Sequence, residues 1–302
     1  NSQGEVKGPT HKSGADTNTV KKYAELLPEP TVHKLPAEPT GKGPLDGIRV
    51  LDLGLAIAGP FGCQLLGDMG AEVIKMNTLW DSYWHKCHIA AMANRNKRSF
   101  AVMLKHPKGM EALKRLIATC DVVQHNMRYP ATQRLGLDYE TLKKEFPSLV
   151  YCHSRGFEEG PRKNLPGNDQ TGACLSGIQH EDGALYTGRE DTFPIWSLTS
   201  LGDTGNGFLT AVGICNALME REKTGKGQFV DTSIVNACLL NTSYAVSKPD
   251  GTPVERPRLN FDQTGYGDYY KLYQTEDNKW IQIAAIRPEH KSAFDALAGD
   301  NK

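Results

Sequence analysis

Apolar and polar positions alternate along this chain in blocks, and the blocks change texture near residue 44. GIRVLDLG (47–54), EVIKM (72–76), SFAVML (99–104), DVVQHN (121–126) and SLVYCHS (148–154) are short apolar runs bounded by turn residues, the pattern of buried strands. Between them, AGPFGCQLLGDMGA (58–71) opens on Gly-Pro chemistry suited to a helix start, and HPKGMEALKRLIATC (106–120) carries apolar residues at helical spacing. GNGFLTAVGICNALMEREKTGKG (205–227) predicts a strong helix with a small and apolar stripe, a charged end and a closing glycine. QFVDTSIVNACLLNTSYAV (228–246) reads as a second long apolar segment, helix-compatible from about residue 231. Strands alternating with helices predict an α/β fold: a mostly parallel sheet under covering helices, joined by right-handed crossovers.

The ends read differently. Residues 1–43 are rich in Pro, Gly, Lys and Thr around one short amphipathic piece, VKKYAELL, and read as a polar extension or linker. A Pro-rich break at 248–258 marks a compositional boundary, and YYKLYQTEDNKWIQIAA (269–285) alternates around an Asp-Asn turn as a β-hairpin does. The expected organisation is an extension over 1–43, a large α/β domain over 44–247, and the start of a smaller α+β domain over 248–302. The chain begins at Asn1 rather than Met, which suggests processing, trimming or membership of something longer.

Composition narrows the chemistry. The 302 residues carry 35 basic and 35 acidic side chains, so no net field steers nucleic acid or an anionic membrane. No run reaches membrane-span length and no signal peptide is visible, which leaves the cytoplasm as the expected compartment. Cysteines at 63, 87, 120, 152, 174, 215 and 238 form no CxxC pair, which argues against zinc or redox motifs. His85 and His88 lie close together without carboxylates at ligand spacing, so no metal is expected. There is no G-x-S-x-G elbow, Walker lysine pattern or G-x-G-x-x-G fingerprint.

Several groups remain. The turn GLAIAGP, with Ala56, Ile57 and Ala58, follows the first strand where open α/β sheets hold ligands, though a plain tight turn fits equally. NRNKRSF (94–100) is either a solvated charge run or a phosphate clamp. Arg128 and Arg134, in HNMRYPATQRLGL, would join such a clamp or stand exposed at a helix start. Trp80, Tyr83 and Trp84 could line a pocket or a core. Asp169, Asp182, Asp191 and Asp203 each read, taken alone, as turn or cap residues. The residues by themselves therefore point to an α/β enzyme with a phosphate-rich ligand and a carboxylate they do not place.

Five phrases in order, covering about 44 to 240, resemble the class III CoA-transferase family of formyl-CoA, carnitine and succinyl-CoA-type transferases and 2-methylacyl-CoA racemases. They are LDGIRVLDLGLAIAGPFGCQLLGDMGAEVIK, RNKRSFAVMLKHPKGMEALKRL, DVVQHNMRYPATQRLGLDYETLKKEFPSLVYCHSRGF, TGREDTFPIWSLTSLGDTGNG and GICNALMEREKTGKGQFVDTSIVNA. The resemblance implies a large and a small domain and two subunits threaded as interlocked rings, hence a homodimer or pairing with a second homologous domain or chain. The chain stops inside what resembles the small domain, short of the segment that returns to the large one.

The substrates implied are an acyl-CoA and a small carboxylic acid, with coenzyme A carried as thioester and neither metal nor ATP. Asp191, set between Thr187-Gly188 and Gly202-Asp203, falls where the resemblance implies a nucleophilic aspartate. The racemases are expected to use a His in a Gly-His-Asp turn with the later Asp. Here that turn reads Gly167-Asn168-Asp169, while Asp203 is kept. Lys97 and Arg98 match the region meeting the CoA phosphates. Asn126, Met127, Ala131 and Arg134 match a loop along CoA, Arg155 a lysine position near it, and Ala56, Ile57 and Ala58 the turn at the acyl end. Three departures stand out. Ile57 replaces a glutamine, Met76-Asn77-Thr78 replaces an acidic-basic-proline phrase, and a glycine run shrinks to Gly265-Tyr266-Gly267. The first and third disfavour a formyl/oxalyl substrate pair. A CoA-transferase is the expected activity; the alternatives are a racemase and a catalytically idle CoA-binding subunit of a larger assembly.

Overall fold

The structure is a computed structural model that describes residues 12–26, 43–80, 87–182, 193–197, 200–257 and 259–299. Asp191, Tyr83, Trp84 and much of the 1–43 extension lie outside these residues. In chain order the described elements begin with α1 (Thr17–Leu26), β1 (Arg49–Asp52), α2 (Ala58–Asp68), β2 (Glu72–Asn77), α3 (His88–Asn94) and β3 (Lys97–Ala101). They continue with α4 (Pro107–Ile117), β4 (Val122–His125), α5 (Tyr129–Leu135), α6 (Tyr139–Glu145), β5 (Val150–Arg155), α7 (Asp169–Ser176) and α8 (Ile178–Asp182). The last are α9 (Leu201–Thr224), β6 (Phe229–Ser233), α10 (Ile234–Asn241), β7 (Tyr270–Gln274), β8 (Trp280–Ala284) and α11 (Pro288–Ala298).

The first six strands form one sheet in the order β3-β2-β1-β4-β5-β6, and every neighbouring pair is parallel. Parallel strands are covered on both faces, so successive residues of each central strand feed two different cores. Val50, Val122 and Val150 pack with Leu66, Ile214 and Leu218 of α2 and α9. Leu51, Val123 and Tyr151, one residue on, pack with Leu113 and Ile117 of α4 and Leu142 of α6. The strand order reverses between β1 and β4. At such a switch point the loops diverge and leave a crevice at the strand C-terminal ends.

The five expected strands are all present. The sixth, Phe229–Ser233, lies in the apolar segment 228–246 and overlaps the part read as helix-compatible from about residue 231. FVDTS is half-buried at the sheet margin and carries no period that separates a strand from the start of the helix that follows it directly. The hairpin is β7 paired antiparallel with β8, turning through Asn278 at φ 59°. No described helix is long and apolar enough to cross a membrane.

Two helices set the geometry of the ligand edge. α9 packs directly on α2 because both carry glycine at the crossing. A Cβ on Gly62 would stand 2.7 Å from Thr210 Cγ2 and 2.9 Å from the Gly207 carbonyl oxygen. A helix following a parallel strand starts at the strand's C-terminal edge, and one preceding a strand ends at its opposite edge. The N-termini of α2, α9 and α10 therefore converge on one edge of the sheet.

Candidate active site

The turn after β1 is the centre of that edge. Ala56 sits at φ 62°, a left-handed conformation costly for a residue with a Cβ. Its neighbours hold it there. The Gly54 N–H donates to Asp52 Oδ1 at 2.8 Å, and Lys75 Nζ donates to the Gly54 carbonyl. Asn126, just past β4, closes the switch point: its Oδ1 accepts from the Leu55 N–H at 2.8 Å and its Nδ2 donates to the Leu55 carbonyl at 2.7 Å. Ile57 and Ala58 turn inward and are buried.

Beneath the turn lies a charged interior. Lys97 Nζ donates to Asp52 Oδ2 at 2.8 Å and to the Pro60 carbonyl at 2.6 Å, with side chains 1% and 0% exposed. Burial pushes the Asp52 carboxyl up. The Lys75 and Lys97 ammoniums and the Lys97 and Gly54 hydrogen bonds outweigh that and hold it below its ordinary value. The rest of the expected basic clamp is also engaged. Arg95 meets Asp68 at 2.7 Å, Asn96 donates to the same carboxylate, and Arg98 meets Glu72 at 3.3 Å from an exposed position. Residues 94–98 thus brace β3 against β1, β2 and α2; Lys97 has its ammonium inside the protein rather than on the ligand edge.

Three expected contacts do come together. Asn126, Met127 and Arg155 line a cavity of about 180 Å³ with Gly156, Lys163 and Pro166. Arg155 is buried, with Nη1 on Glu159 at 3.0 Å and Nε 2.7 Å from Asp231 Oδ1. His153 lines the same cavity, stacked on His125 at 4.6 Å between ring centroids. Burial, then the Arg155 charge, lowers His153 to about 4, so its ring is neutral at physiological pH. Ala131 is half-buried and Arg134 exposed on neighbouring α5; neither lines the cavity.

The cavity is bordered by Gly156 and Gly167, two residues before Asp169. A Cβ on Gly156 would stand 2.5 Å from Gly167 Cα, so the chain after β5 lies directly against the Gly167-Asn168-Asp169 turn. Asn168 caps α7, accepting from the Thr171 N–H at 3.0 Å. Asp169 Oδ1 accepts from the backbone N–H of Gly202 at 2.8 Å and of Asp203 at 2.9 Å. A carboxylate from α7 thereby caps α9, which begins at Leu201, four residues before the start expected from the sequence, and so takes Asp203 into its first turn. Among the described residues no donor reaches the Asp203 carboxylate. Burial first, and the Asp169 charge second, raise it to about 7.

Sequence reasoning missed Lys75 as the hand under the turn, Asp169 as the α9 cap, and Asn206. The Asn206 side chain is fully buried in α9, and among the described residues neither of its polar atoms has a hydrogen-bond partner. No group of three or more potential metal ligands occurs among the described residues.

The family model described as CoA-transferase family III matches residues 45–302. Succinyl-CoA:glutarate CoA-transferase of Mus musculus is 35% identical over 214 residues, 66% of this chain and 48% of that protein. Alpha-methylacyl-CoA racemase of Homo sapiens is 32% identical over 247 residues, 81% of this chain and 62% of that protein. The chain thus spans roughly half to three-fifths of the length of these relatives. Among solved structures, a CAIB/BAIF family protein from Brucella suis superposes with a TM-score of 0.66 at 28% identity, covering 85% of this chain and 70% of that one. The protein Rv3272 from Mycobacterium tuberculosis gives 0.68 at 26% identity, over 85% and 68%. With the fold, the switch-point site and the sequence in agreement, this chain is a member of CoA-transferase family III.

Proposed function

We propose that the protein moves coenzyme A from an acyl-CoA to a free carboxylic acid through a covalent aspartyl intermediate. The observation that carries this reading is the pairing of a carboxylate with an amide where a racemase needs two proton carriers. Asp203 stands in the first turn of α9, and residue 168 is an asparagine occupied in capping α7. An amide does not exchange a proton at neutral pH, whereas a single carboxylate suffices for acyl transfer.

The carboxylate oxygen attacks the thioester carbonyl, the C–S bond breaks, and CoA departs as thiolate, leaving a mixed anhydride. The thiolate attacks the aspartyl carbonyl, the anhydride C–O bond breaks, and the donor acid is released as carboxylate. The acceptor acid then reverses both steps on the aspartyl-CoA thioester. Each step trades one activated acyl bond for another, so no net proton or energy source is consumed.

Two aspartates compete for the attack. The resemblance favours Asp191, which lies outside the described residues. Asp203 stands at the positive end of a 24-residue helix, with burial and the Asp169 charge raising its carboxyl to about 7. We assign the attack to Asp191, as the resemblance implies, and keep Asp203 as the second reading. Asn126, Met127 and Arg155 would line the CoA arm, with Ala56, Ile57 and Ala58 at its acyl end. Arg128 and Arg134 are exposed cations that would meet its phosphates, with Arg98, exposed but paired with Glu72, as the remaining candidate of the expected clamp. The homodimer expected from the resemblance is part of the same proposal.

The experiment is trapping. Incubation with succinyl-CoA and a dicarboxylic acid, then hydroxylamine, should mark one aspartate. Chymotryptic cleavage at Phe193 and Trp196 separates Asp191 from Asp203. A mark on Asp191, lost in Asp191→Ala, supports the reading; a mark on Asp203 transfers the role there. Deuterium uptake at the α-carbon of a 2-methylacyl-CoA without any acceptor acid would favour the racemase instead.

A further inference from the structure

We infer that Glu159 is an internal competitor for the anionic part of the substrate: its carboxylate holds Arg155 and Lys163 together beside the cavity, and an oxyanion of the incoming ligand takes its place. The inference rests on the reading of that cavity as part of the coenzyme A site. Arg155 and Lys163 both line the cavity, whereas Glu159 does not. Arg155 Nη1 donates to Glu159 Oε2 at 3.0 Å, and Lys163 Nζ donates to Oε1 of the same carboxylate. One carboxylate thus spans two cations with one oxygen on each, as a phosphate or a free acid does.

Two carboxylates hold Arg155, and they are unequal. Asp231, 2.7 Å from Nε, belongs to β6, lies in register with His153 of β5, and is 29% exposed. Glu159 is 63% exposed and stands in the loop between β5 and α7. Gly160, next to it, has φ 150°, and a Cβ there would meet nothing within 4 Å. Backbone freedom at an exposed position lets Glu159 swing out while Asp231 keeps the guanidinium aimed. An exposed ion pair contributes little, so its release costs little. A guanidinium has five N–H donors, so Arg155 can hold Asp231 and a ligand together. In the exchange each cation trades one carboxylate oxygen for one ligand oxygen, and no covalent bond is made or broken.

The electrostatics fit a competitor. The Lys163 hydrogen bond first, and the Arg155 one with it, outweigh the slight burial of Glu159 and hold its carboxyl below its ordinary value, so it is ionised at neutral pH. Neutral ligands are indifferent to such a group, and anionic ones must displace it. A tethered carboxylate has a high effective concentration at its own two cations. A small anion alone therefore displaces it poorly, whereas a ligand that also fills the cavity displaces it well. Phosphates of coenzyme A and the carboxylate of an acceptor acid both have the required chemistry, and the test separates them.

The test is Glu159→Gln, which keeps the shape and removes the charge. Calorimetric titration with coenzyme A, pantetheine and succinate gives the readout, and thermal melting checks the fold. Coenzyme A should bind Glu159→Gln about three- to tenfold tighter than the parent, and KM for acyl-CoA should fall in step while kcat does not rise. Pantetheine, which lacks the phosphates, should bind both proteins alike. A gain with coenzyme A alone identifies a phosphate as the oxyanion; a gain with succinate alone identifies the carboxylate of the acid. Lys163→Gln should weaken binding more in the Glu159→Gln background than in the parent, where it loosens competitor and ligand together. Melting should be unchanged, because the pair is exposed. Should Glu159→Gln not fold, Glu159→Ala carries the same expectations. Equal or weaker binding of every anionic probe by the folded variant overturns the inference, as does a gain for pantetheine as large as that for coenzyme A, the mark of a loop that merely opens. If the parent neither binds nor transfers CoA, yet succinate or inorganic phosphate binds Glu159→Gln more tightly, the transfer reading fails and this one stands.

Discussion

Residues 94–98 and residues 202–206 invite comparison because both read, in sequence, as polar segments beside a ligand. Folding treats them oppositely. In the first, each of Arg95, Asn96, Lys97 and Arg98 has an acidic partner, and the segment braces four elements together. In the second, Asn206 is buried and Asp203 half-buried, and neither side chain has a hydrogen-bond partner among the described residues. Paired charge is how a fold stabilises itself; unpaired polar groups kept inside are a cost retained where chemistry needs them. Charge density along the chain marked the brace, whereas the absence of partners marks the site.

Substitutions can break that contrast. The largest effect belongs to the brace. Lys97→Met leaves Asp52 buried with Lys75 alone, and should cost about 3–5 kcal/mol in urea unfolding; a loss under about 1 kcal/mol would place Lys97 among mobile surface cations instead. Gly62→Ala probes the wall behind the site. Its methyl would collide with Thr210 and the Gly207 carbonyl, so about 1–3 kcal/mol should be lost and α9 displaced. Unchanged stability and an unshifted Asp203 titration would show that α2 does not hold α9 in place.

Asp203→Asn should act in the opposite direction and only over part of the pH range. The folded carboxyl titrates near 7, above the ordinary 3.8, so the folded state holds this proton more tightly than the unfolded one. That contribution is complete below about pH 4 and is lost as pH rises through 7. The variant, which does not titrate there, should therefore gain on the parent between those limits and keep the gain above. On the order of 2 kcal/mol is expected, reduced because the carboxyl is not wholly sealed from water; melting at pH 5 and pH 8 measures it. Equal differences at the two pH values would mean that the carboxyl is well hydrated. Arg98→Ala should be smallest, about 0–0.5 kcal/mol, as an exposed ion pair is screened. A larger loss would make Arg98 as structural as Lys97.

Much of the fold was legible before folding. Five of the six sheet strands announced themselves: β1, β4 and β5 because both faces are buried and apolar residues run continuously, and the exposed edge strand β3 through the apolar SFAVML that overlaps it. Phe229–Ser233 did not, because a half-buried edge strand running straight into a helix has no period of its own. For the site, Asn126, Met127 and Arg155 were legible through the family resemblance, and the loop after β4 also through its place at a strand end. Lys97 was misread as available because nothing local says that Asp52, 45 positions away, takes its ammonium. Asp169 looked like an ordinary turn acid, and only the approach of the α9 N-terminus gives it two backbone donors.

The sequence by itself determined the α/β layering and the family, because periodicity and short motifs are local properties of the chain. Tertiary structure alone decided which charges cancel, which helix end meets the crevice, and that Asn206 goes inside with no partner among the described residues. Burial and hydrogen bonding depend on what lies across the core, and groups brought together over tens of residues leave no trace in the order of the letters.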